Sequence, residues 1–208
     1  AAAPSEPPTL VDVEGEWAVV MRGAREDGKF LDVTLLAGQR KIEAHKAVIV
    51  SCSPYLDALL TSGLAESAQA GDEVRVGDAG TDGRAVEAIV DCFYSGKLAL
   101  SSESVTAVIS AANMLQVGAI EKAANAFFVE KLEPASAAEA LGFAAQRVEC
   151  GEAARELHEK CTAYMFEHFV ECVESGSLLE LPAEALVPLL RSDDLAVESE
   201  EQVLEFVQ

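Results

Sequence analysis

The sequence predicts an α+β fold: a front region in which a cluster of helices is flanked by a short three-stranded sheet, then a rear region made only of helices. Two observations carry this. Strand-like alternation is confined to short segments upstream of Ser101, whereas beyond Pro134 the apolar residues recur only at helical spacing. Composition agrees: of 208 residues half are hydrophobic and a quarter charged, a globular balance in a chain long enough to bury about 70% of its unfolded surface.

Ala1 to Pro8 is rich in Pro, Ala, Ser and Glu, with no basic residue or apolar run, and reads as a disordered lead-in and not a secretory signal. Val11 to Gly28 holds the single tryptophan, Trp17, beside Val19, Val20 and Met21, and predicts a short amphipathic helix ending before Gly23. Leu31 to Leu36 and Lys41 to Ala44, separated by Ala37-Gly38-Gln39-Arg40, form a hairpin. Two short helices follow, Lys46 to Ser51 and Pro54 to Thr61, the second with Ser53 as cap and Pro54 in its first turn, stopped at Gly63. Glu73 to Val76 is a third strand. Val86, Ile89, Val90 and Phe93 then mark a buried helix face that Gly96 ends, and Leu98 and Leu100 alternate briefly. Ser101 to Ser104 supply caps for a helix whose stripe is Val105, Val108, Ile109, Ala112 and Leu115, broken at Val117-Gly118; another runs from Ala119 to Lys131. Behind Pro134, segments 135–147, 151–173, 182–190 and 198–207 all read as helices, so the boundary falls at Glu133 to Ala135. Ser199-x-x-Gln202 is a capping box, and its helix reaches Gln208 without a glycine cap, as in a piece of a longer protein.

The charge excludes several functions. With 15 basic and 36 acidic side chains the net charge is −21, and no basic cluster exceeds Arg40-Lys41. Phosphate backbones and anionic lipid surfaces are repelled, so neither nucleic acid nor membrane is an expected partner. No segment approaches the roughly 18 apolar residues of a membrane span. Cys52, Cys92, Cys150, Cys161 and Cys172 are odd in number and form no C-x-x-C pair, which fits free thiols in a reducing compartment. Cytoplasmic placement is the expectation, with nuclear or cytoskeletal sites as alternatives.

No catalytic grouping emerges. The nucleophile elbow, phosphate-binding loop and dinucleotide fingerprint are all absent, and acidic pairs are too common here to signify a hydrolytic pair. His45, at the entry to a helix, reads as a hydrogen-bonded structural histidine, since no nucleophile motif places Ser51 or Cys52 against it. His158-x-x-Cys161 and His168-x-x-x-Cys172 supply zinc-type ligands. On one continuous helix, however, His158 and Cys172 lie about 21 Å apart, beyond the reach of a single ion. Cys161, Met165, His168, Phe169 and Cys172 instead continue the apolar stripe begun by Leu157. Neither a catalytic residue, a metal nor a cofactor is expected.

The order of elements and several segments in register resemble a BTB (POZ) domain followed by a BACK domain, as in kelch-like proteins. The segments are Phe30-Leu31-Asp32-Val33-Thr34-Leu35, Ala44-His45-Lys46-Ala47-Val48-Ile49, Ser51-Cys52-Ser53-Pro54-Tyr55-Leu56, Leu64-Ala65-Glu66-Ser67, Phe93-Tyr94-Ser95-Gly96-Lys97-Leu98 and Ala111-Ala112-Asn113-Met114-Leu115-Gln116. The BACK resemblance rests on helical pattern and on Tyr164-Met165-Phe166-Glu167-His168-Phe169. The organisation is then a lead-in over residues 1–9, a BTB/POZ domain over 10–132 and a BACK domain over 133–208, expected to be truncated at its C-terminal end.

The resemblance implies an interaction module. BTB domains of this kind look like homodimers that exchange the N-terminal helix, which places Trp17, Val20 and Met21 at the interface and Asp32 with Lys46 in a charged pocket there. Many kelch-like members bind a cullin scaffold and present a protein substrate to a RING ubiquitin ligase. The motif associated with that activity, a hydrophobic residue, any residue, then glutamate, is matched by Leu64-Ala65-Glu66, and Tyr55 and Tyr94 correspond to positions at or near the cullin-facing groove, which the first BACK helices extend. The alternative is a scaffolding dimer, cytoskeletal or transcriptional, that binds no cullin. The substrate is not encoded in these residues.

Overall fold

In the computed structural model, residues 16–61, 72–181, 186, 187 and 189 are described. The hairpin forms as its alternation requires: β1 (Val33–Ala37) pairs antiparallel with β2 (Arg40–Ala44), Leu35 opposite Ile42, across a two-residue turn. Val33, Leu35, Ala37, Ile42 and Ala44 all face the core. β3 (Asp72–Arg75) lies on the other side of β1, parallel to it, with Leu35 opposite Val74, which gives the order β2-β1-β3. Leu98 and Leu100 join no strand; both pack half-buried against the core. The hairpin turn is held tightly, since Gly38, at φ 55°, and Gly83 leave no room for a Cβ against the carbonyls of Thr81 and Ala37 respectively.

Helix α1 (Glu16–Glu26) continues through Gly23 instead of ending before it. The extra turn carries Arg25, whose Nε donates to the Glu43 carbonyl at 2.9 Å and whose Nη1 meets the Asp91 carboxylate at 2.7 Å. Those two anchors offset the helix-interior cost of a glycine, about 1 kcal/mol. Helices α2 (Lys46–Cys52) and α3 (Pro54–Thr61) meet at buried Ser53, whose Oγ accepts from the Leu56 N–H at 3.2 Å and donates to the Leu115 carbonyl at 2.6 Å. The serine thus caps α3 and ties it to Leu115, 62 residues further along the chain.

α4 (Gly83–Ser95) begins on Asp82, whose Oδ1 accepts from the N–H groups of Arg84 and Ala85, and ends on Gly96 at φ 65°. Val86, Ile89 and Val90 of its stripe are fully buried, each contributing about 1.5–3 kcal/mol, and Phe93 is half-buried at the margin. α5 (Val105–Met114) starts differently from the simple cap expected: Ser101 and Ser104 exchange N–H to Oγ bonds at 3.1 and 3.3 Å and so close their own turn, and the Val105 N–H goes to the Ser101 carbonyl. The chain reverses at Gln116, a non-glycine residue at φ 58°, into α6 (Gly118–Glu130).

Behind a 3-10 turn at Pro134–Ser136, the rear region is helical: α7 (Ala137–Ala145), α8 (Glu152–Glu167) and α9 (Phe169–Glu174). The single helix expected over 151–173 breaks at His168, where φ is −113° and ψ 29°. Phe169 and Cys172 are thereby turned into the same core as Leu157, Cys161 and Met165, while His168 stays on the surface side of the stripe, its ring 4.4 Å from that of Tyr164 and Nδ1 3.7 Å from Glu171. Desolvation pushes the Cys161 thiol up to about 11 and raises that of Cys172, so both are held as neutral core thiols. Among the described residues no grouping of His, Cys, Asp or Glu could hold a metal ion, and no helix is long and apolar enough to cross a membrane.

Candidate functional site

Two surfaces stand out, one at α1 and one along α5. The first is apolar: Val19 is 60% exposed, Val20 64% and Phe30 84%. Met21, on the same helix, is half-buried against the core; Trp17 lies within α1, and its side chain falls outside the described residues. Phe30 is held in the left-handed region at φ 58°, a strained setting for an aromatic residue.

The network that holds Phe30 in place runs through His45 and Tyr94. The Tyr94 hydroxyl accepts from the His45 backbone N–H at 2.8 Å and lies 2.9 Å from His45 Nδ1, while Nε2 lies 2.9 Å from the Lys29 carbonyl. A carbonyl only accepts, so Nε2 carries the proton, and in the neutral ring Nδ1 accepts from Tyr94. The Arg25 guanidinium covers the Tyr94 ring at 4.8 Å. Burial raises the Tyr94 phenol above its ordinary value, opposed by the His45 N–H and Arg25. With 3% of its surface exposed, Tyr94 organises the Lys29-Phe30 loop and the start of α2 from inside, and presents no contact area to a partner. Phe30, its exposed beneficiary, had no sequence signal of its own: an aromatic before a strand reads as core.

Asp32 and Lys46 are brought together, though through the main chain. The Asp32 Oδ1 accepts from the Lys46 backbone N–H at 2.6 Å and so caps α2, where His45 offers no side-chain cap. Among the described residues the Lys46 ammonium enters no ion pair, and Asp32 is exposed beside the Phe30 surface.

The second surface is a pair of clefts on either side of α5. One, about 630 Å³, lies between α3, the loop before α4 and α5, and is lined by Tyr55, Asp78, Asp82, Ala111 and Met114. Tyr55 is half-buried there, its hydroxyl accepting from the Gly77 N–H at a long 3.4 Å. The other, about 540 Å³, lies between α5, α6 and α7, with Val105, Phe128, Leu132, Ala140 and Phe143 as apolar walls and Lys131 at its side. Ala107 and Ser110 line both, so the two form one surface along α5 that spans the front and rear regions. A polar seam fixes that span. Asn113 Nδ2 donates to the Cys150 carbonyl at 3.2 Å, Asn125 Nδ2 to Ala153 at 3.0 Å, and Arg147 Nη1 to Ser110 Oγ at 3.1 Å, with Arg147 stacked over Phe143. Leu64 and Glu66 lie outside the described residues.

With this geometry in view, residues 21–132 match the sequence model of the BTB/POZ domain, more than half of the chain. The chain belongs to the BTB/POZ family. Residues 144–208 of this BTB chain match the BACK domain, described as "BTB And C-terminal Kelch", which makes it a BTB–BACK chain of the kelch-like type. It is 30% identical over 185 residues to human Kelch-like protein 17, covering 89% of this chain and 27% of that protein. To human Kelch-like protein 2 it is 31% identical over 188 residues, covering 90% and 30%. It therefore spans less than a third of the length of these relatives. The solved BTB domain of zebrafish PATZ1 superposes with a TM-score of 0.50 at 22% identity, covering 61% of this chain and all of that one, a likeness of fold.

Proposed function

We propose that this BTB–BACK chain is a non-catalytic, homodimeric adaptor that docks on the N-terminal domain of a cullin scaffold and presents a protein substrate to a RING ubiquitin ligase. The observation that carries the reading is the surface along α5, which joins Tyr55 on the BTB side to α7 on the BACK side through Ala107 and Ser110. A helical partner can lay one face against the first cleft and continue into the second, the way helix-in-groove recognition works. Leu64 and Glu66, which follow α3 in sequence, carry the motif associated with cullin binding. Self-pairing is supported by the exposed Val19 and Val20 on α1 and by the exposed Phe30 in the loop that follows that helix. The free cysteines fit cytoplasmic placement.

A pull-down of the native chain with a cullin N-terminal domain tests the docking. Binding is expected, and is expected to fall on Leu64→Ala with Glu66→Lys and on Ala107→Arg, which places a long cation where both clefts meet. Absent binding, or binding indifferent to these changes, favours a scaffolding dimer. Light scattering tests the pairing: a dimer is expected, weakened by Lys46→Met, and a lone protomer in dilute solution overturns it.

A further inference from the structure

The cleft on the Tyr55 side has a composition of its own. Its floor on α5 is made of small residues at helical spacing, Ala107, Ser110 and Ala111, bounded by Tyr55 and Met114. Small side chains let a second helix approach closely. Its charged lining residues are Asp78 and Asp82, with no basic side chain among the described residues that line it. Each aspartate commits one oxygen locally: Asp78 Oδ1 accepts from the Gly80 N–H at 2.9 Å and Thr81 Oγ1 at 3.3 Å, and Asp82 Oδ1 caps α4. Neither forms an ion pair among the described residues, so each keeps an oxygen for an outside donor. The companion cleft differs, since Lys131 stands there with Glu103 and Glu139.

We propose that Asp78 and Asp82 are specificity residues of this docking surface: the partner helix that fills the cleft brings a lysine or arginine to them, flanked by apolar side chains that pack on the small face of α5. The inference rests on the cullin reading and adds to it the charge of the occupant. A basic residue entering between the two carboxylates is drawn in by both. It also selects against partners carrying an acid at that position, which would meet two like charges.

The Asn variants separate charge from structure, because asparagine keeps the Oδ1 acceptor and is itself a good helix cap. Calorimetric titration of a cullin N-terminal domain into the native chain, at low and at physiological salt, is compared with Asp78→Asn/Asp82→Asn and with Glu156→Gln/Glu159→Gln. The last pair is exposed on α8, lines neither cleft, and changes the net charge equally. The expected result is a loss of about tenfold for the aspartate pair, with a shallower salt dependence, and less than about twofold for the glutamate pair. Native-like affinity in the aspartate variant overturns the proposal, as does an equal loss in both variants, which assigns the effect to overall charge; in either case cullin docking stands. No binding by the native chain removes the docking reading itself. Thermal melts matching the native chain show that the variants fold, and a native affinity indifferent to salt overturns the proposal without any substitution.

Discussion

Tyr94→Phe removes one oxygen from the interior and leaves the ring in place, which makes it a clean probe of the network beneath the α1 surface. The hydroxyl accepts from the His45 backbone N–H at 2.8 Å and donates to Nδ1 at 2.9 Å, and both groups belong to a residue that is itself buried. The substitution strands a main-chain donor and a ring acceptor away from water. At about 1–3 kcal/mol for each unsatisfied buried group, moderated by partial relaxation, the loss is about 2–4 kcal/mol. For a chain of this size that corresponds to roughly 4–16 °C in melting temperature. Urea denaturation should show a lower midpoint with an unchanged slope, because the same surface is exposed on unfolding. Tyr55→Phe is the internal control: its single long bond to Gly77, in a half-buried setting, predicts less than about 1 kcal/mol. A Tyr94→Phe variant within about 0.5 kcal/mol of the native chain would refute the assignment of the His45 tautomer and of Tyr94 as the internal anchor.

Gly83→Ala should destabilise by about 2–4 kcal/mol, because the added Cβ runs into the Ala37 carbonyl oxygen and meets Arg40 Cβ at 3.0 Å; a urea midpoint equal to that of the native chain would contradict this packing. Stability should also fall at alkaline pH. The Cys161 thiol titrates at about 11 in the fold against its ordinary 9.0, so the folded state favours the protonated form. Its contribution is complete below pH 9 and is lost as pH rises toward 11, about 2–3 kcal/mol in all. Cys161→Ala should show a shallower alkaline loss across urea midpoints from pH 7 to 11, and an identical slope would exclude Cys161 as its source. Under native conditions a disulfide reagent should modify exposed Cys150 first, and Cys161 and Cys172 only on unfolding.

The front region was legible where one segment decides its own structure. The hairpin follows from alternation around a Gly-Gln turn, α4 from its i, i+3, i+4 stripe, and α3 from Ser53-Pro54. The departures share a different cause: a partner far along the chain. Gly23 reads as a stop until Arg25 is seen reaching Asp91, 66 residues on. Leu98 and Leu100 alternate briefly but join no strand, and although Glu73 to Val76 reads as a strand, its parallel pairing with β1 across so long a connection has no local signature. His168 falls on the stripe of an ideal helix, but the stripe is completed by a bend that sends Phe169 inward, while Ser175 and Ser177 turn back to donate to the Pro134 carbonyl at 3.3 and 2.8 Å.

The surface along α5 divides along the same line, and the division bears on what such motifs are worth. Leu64-Ala65-Glu66 is visible because it is contiguous, and Tyr55 because it sits in a recognisable segment. What builds Tyr55 into a surface reaching the rear region is the polar seam: Arg147, just past α7, bonds Ser110 of α5, and Asn125 of α6 bonds Ala153 of α8, pairs 37 and 28 residues apart. Spacing rules cannot report such pairs, since arginine, serine and asparagine occur everywhere on a globular chain. Tyr94 shows the converse: it stands in a family-like segment, and yet its exposure leaves it only an internal role, holding Phe30 outward through His45 and Lys29. A short motif therefore carries the family resemblance, while long-range polar bonds decide which of its residues reach the surface.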